Sequence, residues 1–569
     1  MNKRKRVIII VVVIAIILVL LLAAAAIYKY LAPSSVQKPV SSIFELGEQE
    51  VALLVNGEEL EERGIVAEKE FYVPAAIASD YMDQRIYVDT TENMLAYATE
   101  DGVIQAKTDA TEYTVGKEKK TATAPILIKK DKNYYVSLTF IGERATCYFK
   151  SYTEPARLII MSDKNKTYTF ATVAKDTRIR TGPNKKYAYL VEVPEGTKVR
   201  VETEIQQENE YMAITTEDGV TGYVPIERII GKKEETWKID KEPTSFPQIG
   251  VEETICLGWH QVFNETSAQS LPANISQASA MNVISPTWYA LSDNKGNFTS
   301  LGNTGYVTQA HSMGIQVWGL VNDFDDDLKL GKILGQTSTR TKLINGLVGS
   351  AIQYDLDGIN IDFEKITADS ADAYLQFLRE LVLKCHANDL IVSVDNYSPA
   401  SYNAYYDLEE QGRIVDYVIL MAYDEHYAGS DESGSVSSIN FVKTGVKNVL
   451  AKVPKERVIT ALPFYTRLWK EVENKSGEVS VSSSAYGMSG AESVLRSHGA
   501  EAKWDKKTEQ YYAEYKADGA TYKIWLEEET SLKKKMEVVK NNKVAGVAFW
   551  KLGFERAVTW TTIEAALKK

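Results

Sequence analysis

The sequence predicts an α/β fold class: a C-terminal (β/α)8 TIM barrel with a small insertion, preceded by two small N-terminal β-rich domains and one transmembrane helix. Three observations lead there. Val7 to Ile27 is an unbroken apolar run. Residues 46–230 hold short β-like runs broken by turn residues. From residue 250 onward, strand-like runs alternate with stretches of helical period. A chain of 569 residues exceeds a single core, so several domains follow. The formal net charge of -12 argues against a nucleic-acid partner.

In order along the chain, the apolar run is long enough to span a bilayer as a helix. Lys3, Arg4, Lys5 and Arg6 precede it and no basic cluster follows at once, which places the tip in the cytoplasm and the rest outside. Residues 1–30 therefore read as a signal-anchor, with the membrane contacted through residues 7–27 and the remainder extracytoplasmic. A cleaved signal peptide is the alternative, since Ala23–Ala26 could hold the cleavage site; the length of the run favours an anchor. Residues 31–45, with Pro33, Pro39 and several Ser, read as a linker.

Residues 46–163 form the first β-rich domain. The segments Glu70–Ile77 and Asn133–Ile141 look alike, each with Tyr-Val ahead of an Ile or Phe. This region resembles the stalk-like domain named after the N-terminus of copper amine oxidases, without any copper ligands. Residues 167–230 form the second domain, marked by Arg180-Thr181-Gly182-Pro183 and Gly222-Tyr223-Val224 in that order. These elements resemble bacterial SH3-like domains, and the resemblance implies either contact with the cell wall or a ligand-free spacer. Residues 231–249 are charged, contain Pro243 and Pro247, and read as a second linker.

The barrel is predicted over 250–569. Its strands are expected at Thr254–Trp259, Val283–Trp288, Gln316–Val321, Gly358–Phe363, Ile391–Asp395, Tyr417–Met421, Val458–Pro463 and Gly546–Trp550. Between them, Tyr374, Phe377, Leu378, Leu381 and Val382 mark one helical face, and Leu532, Met536 and Val539 another. Strands separated by such helices pair in parallel, and eight of them close a barrel with its chemistry at the C-terminal strand ends. A doubly wound open sheet is the alternative, but no glycine-rich phosphate loop accompanies it. Residues 470–530 read as an insertion whose alternating Tyr would form a β-element beside the cleft.

Asp357-Gly-Ile-Asn-Ile-Asp-Phe-Glu364 is the chemically informative segment. With a period of two, Asn360, Asp362 and Glu364 share one face, and Ile359, Ile361 and Phe363 the other. Taken alone, this is an edge strand with one wet face; inside a parallel barrel the acidic face must point inward, where unpaired carboxylates are costly. A functional site follows. Asp362 and Glu364 lie on the same side of any substrate, about 6.6 Å apart along the strand, and cannot flank a sugar from opposite faces.

This segment resembles the DxxDxDxE signature of glycoside hydrolase family 18, the chitinases and related N-acetylglucosaminidases, closest to its spore-cortex and cell-wall branch. The resemblance implies that Glu364 protonates the glycosidic oxygen and that Asp362 orients the substrate's acetamido group, which acts as nucleophile. Asp357 and Asn360 would sit deeper and tune Asp362. Asn360 replaces the family's middle Asp; it can hydrogen-bond Asp362 but not exchange a proton with it. Met421-Ala-Tyr-Asp424 and Leu462-Pro-Phe-Tyr-Thr-Arg467 resemble further family elements. They imply that Tyr423 bonds the acetamido carbonyl and that Asp424, Tyr465 and Arg467 contact substrate. Trp550 would floor the cleft, with Trp259 and Trp288 as weaker sugar platforms.

Two catalytic readings follow, a peptidoglycan N-acetylglucosaminidase and a chitinase-type enzyme. A non-catalytic glycan-binding protein is the third, set against the presence of Glu364. The five His show no ligand spacing, and Cys147, Cys256 and Cys385 lie far apart. No metal, cofactor or disulfide framework is implied.

Overall fold

The computed structural model describes residues 3–236, 238–239 and 245–568, so Pro243 of the expected second linker lies outside the described residues. The apolar run lies in the helix Lys3–Leu31, none of whose residues is buried. The chain forms two compact units, Met1–Ile86 with Thr108–Glu112 and Thr121–Pro243, and Tyr87–Lys107 with Tyr113–Lys120 and Thr244–Lys569.

The first unit holds two antiparallel-rich sheets of seven strands each. In one, the look-alike segments pair with each other: Val136 lies opposite Val73 and Tyr135 opposite Pro74. Each then enters a short helix, Ala75–Tyr81 or Leu138–Gly142. The other sheet spans Thr167 to Thr236 and encloses its own apolar core, including Val173, Ile179, Val199 and Ile214. The expected linker of 231–249 is corrected at both ends. Ile229–Thr236 is a strand pairing antiparallel with Thr167–Val173. Its Lys and Glu side chains read as linker because it is an edge strand, where charge on both faces blocks further pairing. At the other end Phe246 is buried in the barrel's outer core and its carbonyl accepts from Arg457.

The second unit is a closed parallel barrel: β1 (Ile255–His260), β2 (Val283–Pro286), β3 (Gln316–Asn322), β4 (Gly358–Asp362), β5 (Ile391–Tyr397), β6 (Tyr417–Met421), β7 (Val458–Pro463) and β8 (Gly546–Trp550). Each pairs with the next, and β8 returns to β1, where Leu257 lies opposite Ala548. Alternation along the strands sorts their side chains into two cores. Ile255, Leu257, Trp318, Leu320, Ile419, Ile459 and Ala548 fill the barrel. Cys256, Val317, Ile359, Ile361, Phe363, Val392 and Val418 face outward to the helices. Fully burying each Val, Leu, Ile or Phe among them contributes about 1.5–3 kcal/mol.

The predicted helical face around Tyr374 belongs to the helix Ala371–His386, and the one around Met536 to Glu529–Asn542. A sheet of short strands from Tyr87 to Thr121 belongs in part to this unit rather than wholly to the first domain, which moves the expected 46–163 boundary. The insertion is a five-stranded antiparallel sheet beginning at Tyr465, five residues earlier than expected. Its tyrosines pack among themselves and on the helix Met488–Ser497, with Tyr515 and Tyr522 stacked at 4.9 Å.

Candidate active site

The C-terminal strand ends surround a cavity of 160 Å³ lined by Trp259, Phe324, Asp362, Glu364, Asp395, Tyr397, Met421, Tyr423, Asp424 and Trp550. Strand parity places them. On β4, Asn360 and Asp362 point into the barrel while Ile359 and Ile361 point out. On β5 the same parity runs through Ser393, Asp395 and Tyr397, and on β6 through Ile419, Met421 and Tyr423.

Glu364 sits one residue pair beyond the buried Asp362, at the cavity wall. Its backbone N–H donates to Asp323 Oδ1 at 3.0 Å, and the Lys365 N–H donates to Asp323 Oδ2 at 2.9 Å. The Tyr406 hydroxyl donates to the Phe363 carbonyl at 3.1 Å. The strand exit is thus clamped from both sides. The Tyr397 hydroxyl donates to Glu364 Oε2. Burial holds the Glu364 carboxyl above its ordinary range, and this hydrogen bond opposes the rise. Asp362 is pushed well above the carboxylate range by burial first and then by the charges of Asp395, Glu364 and Asp323. Its Oδ1 has no hydrogen-bond partner.

Tyr423 lies within the ring of carboxylates, its ring against Tyr465 at 6.3 Å. Tyr465 donates to Asp424 Oδ1 at 2.5 Å, and Asp424 takes a left-handed backbone at φ 58°. The rings of Trp259 and Trp550 meet edge to face at 5.8 Å and close one side. Trp259 is buried and Trp550 is partly open, so the exposed platform is Trp550.

Four sequence expectations are corrected. Asp357 is out of phase with Asn360 and lies before β4 begins. Its carboxylate accepts from Val317 N–H at 2.7 Å and bonds His311 Nε2 at 2.8 Å, so it does not touch the Asp362 cavity. Asn360 does not hydrogen-bond Asp362. Its Oδ1 accepts from Trp259 Nε1 at 2.9 Å and Ser285 Oγ at 3.1 Å, and its Nδ2 donates to Asp395 Oδ1 at 2.9 Å. Trp288 is no sugar platform: β2 ends at Pro286, and position 288 has the outward parity of Ile284. Its ring packs against Tyr306 at 5.0 Å in the outer core. Tyr465 and Arg467 stand behind the wall; Arg467 Nη1 donates to Ser483 Oγ at 3.3 Å, and burial holds the Asp424 carboxyl above its ordinary range against the opposing Tyr465 hydrogen bond and Arg467 charge. The insertion contributes no side chain to the cavity lining.

The sequence reading missed Asp323, Asp395 and Tyr397. The signal for the last two was present, because Ser393, Asp395 and Tyr397 repeat on β5 the polar alternation of β4. Asp323 opens the run Asp323-Phe-Asp-Asp-Asp, which reads as a solvated loop. Among the described residues no cluster of His, Cys, Asp and Glu is arranged to hold a metal.

A parallel barrel with a carboxyl-lined pocket and aromatic wall at its C-terminal mouth has the placement of a barrel enzyme's active site. Residues 289–555 match the model of glycosyl hydrolases family 18, and residues 54–154 that of the copper amine oxidase N-terminal domain. Residues 289–555 thus carry a glycosyl hydrolase family 18 domain, and the similarity is to glycosidases of that class. The chain is 27% identical over 304 residues to the uncharacterized glycosylase YvbX of Bacillus subtilis, spanning 51% of this chain and 85% of that protein. It is 27% identical over 246 residues to the cortical fragment-lytic enzyme of Bacillus subtilis, spanning 42% of this chain and 56% of that protein. The chain thus covers little more than half of the second relative's length. The fold is shared with the C-terminal domain of a putative chitinase from Desulfitobacterium hafniense, at a TM-score of 0.50 and 21% identity over 56% of this chain and 99% of that one.

Proposed function

We propose that the barrel hydrolyses β-1,4 bonds of N-acetylglucosamine-containing glycans, peptidoglycan first among them, by substrate-assisted retaining catalysis with Glu364 as the acid. The observation that carries this reading is the pairing of a protonatable Glu364 at the wall with a buried Asp362 behind it on the same strand. A carboxyl that holds its proton above the ordinary carboxylate range is a better-matched donor to the glycosidic oxygen. The acetamido oxygen then attacks C1, and Asp362 holds the acetamido N–H as positive charge develops. Tyr423 bonds the acetamido carbonyl, Asp424 contacts the sugar with Tyr465 fixing it, and Trp550 stacks beneath. Water opens the oxazolinium as the Glu364 carboxylate takes its proton back.

Peptidoglycan is favoured over chitin by the cortical fragment-lytic relatives and by the apolar helix Lys3–Leu31, which suits an anchor facing the wall. The unit of 167–230 is proposed as the wall-contacting, SH3-like module. The test is the full chain in detergent, beside Glu364→Gln, on purified peptidoglycan and on chitin oligosaccharides, with products read by mass spectrometry. Muropeptides with new N-acetylglucosamine reducing ends are expected, with kcat in the variant lower by about 10²-fold or more. Cleavage of chitin oligosaccharides alone would move the substrate to chitin-like glycans. Retained binding without cleavage would leave a glycan-binding barrel.

A further inference from the structure

We propose that Asp395 is the proton-sharing partner of Asp362: the carboxyl missing at position 360 of β4 is supplied from β5, and the pair works with one proton and one negative charge. This rests on the catalytic reading above. Ile361 lies opposite Val394 in the parallel β4–β5 pairing, so Asp362 and Asp395 are the next neighbours along it. Neighbouring strands lie about 4.8 Å apart, and both side chains point into the cavity. They are 5% and 3% exposed, respectively.

The groups facing this pair are Glu364 on the same strand, Asp323 from the end of β3, Tyr397 on β5, Tyr423 beyond β6 and Tyr374 on the helix Ala371–His386. None is a cation. Two carboxyls side by side in a desolvated cavity without a cation cannot both ionise, so one proton stays between them. Asp395 is accordingly held well above its usual range, burial being the first cause.

Asn360 is what makes this arrangement work. Its oxygen is occupied by two donors, Trp259 Nε1 and Ser285 Oγ, which turns its NH2 toward Asp395. A carboxylate at 360 beside Asp395 would be a third acid in the same pocket. An amide there instead orients Asp395 and leaves Asp395 to serve Asp362. During catalysis the proton rests on Asp395 and the charge on Asp362, facing the cationic intermediate. No proton is gained or lost by the pair, so the step balances.

The test counts protons before it counts turnovers. Infrared spectra of the full chain, with 13C-carboxyl aspartate and in a Glu364→Gln background, read protonated Asp at pH 7 independently of activity. A protonated-Asp band is expected to vanish on adding Asp395→Asn and to return on adding both Asn360→Asp and Asp395→Asn. A band unchanged by Asp395→Asn overturns the proposal. With Glu364 intact, Asp395→Ala should lower kcat at least about tenfold, the worth of one charge-assisted hydrogen bond, with KM little changed. A folded Asp395→Ala protein with wild-type kcat and pH profile also overturns it. Should the wild-type chain cleave no glycan, the catalytic reading falls while the spectra still decide the pair.

Discussion

At the residue scale, the acid is set by opposing influences on one carboxyl. Burial raises Glu364 and the Tyr397 hydroxyl lowers it. Replacing Tyr397 by Phe removes the lowering influence, so the alkaline limb of the pH–rate profile should move to higher pH. A limb that stays put or moves to lower pH would show that the hydroxyl does not reach Glu364 in solution. The same carboxyls affect stability. Asp362, Asp395, Glu364 and Asp323 all hold protons more tightly folded than unfolded. The native state therefore binds more protons, and stability falls as pH rises from the ordinary carboxylate range through their raised values. Asp362→Asn removes one such group, so the loss of Tm between pH 5 and pH 8 should shrink in that variant. An equal or steeper loss would contradict the sign.

At the element scale, the barrel strands are defined by alternation, and the helices by how their ends are satisfied. The helix Thr337–Tyr354 has no side-chain cap of its own. The Thr337 N–H donates instead to Asp89 Oδ2 at 2.6 Å, and the Ser338 N–H to Glu92 Oε2 at 3.1 Å, both from the short-stranded sheet of the same unit. The Tyr87 hydroxyl donates to the Gly335 carbonyl at 2.9 Å, with its ring beneath the Arg340 guanidinium. Two acids at a helix N-terminus satisfy free N–H groups and oppose the helix dipole. Asp89→Ala should thus destabilise the barrel by about 1–2 kcal/mol, seen as an earlier unfolding transition in tryptophan fluorescence. An unchanged transition would mean the sheet is a passenger on this helix. A barrel cut at residue 250 lacks these acids and should unfold earlier still.

At the scale of the whole molecule, the helix Lys3–Leu31 has a mean hydropathy of 3.8 over its most apolar window and no buried residue. Anchoring predicts that the full chain sediments with membranes and withstands alkaline carbonate, while residues 31–569 stay soluble. Release of the full chain by carbonate would instead favour a cleaved or peripheral segment.

The sequence by itself determined the barrel and the side of β4 that carries the chemistry. Both rest on periodicity, and a period of two or of 3.6 follows from covalent geometry and the need to bury apolar faces. Seven of the eight strands begin and three end at the residue read from the pattern, while β2 stops short at Pro286. Charge misled the reading where it stood for edge protection, as in Ile229–Thr236. What the sequence left open was which residues meet across strands. Asp395 lies 33 positions from Asp362, and only the parallel register of β4 and β5 brings the two together. Asp323 entered the site, and Asp357 and Trp288 left it, by phase and strand length. Those are fixed by closure of the whole barrel, because every strand's register depends on both neighbours.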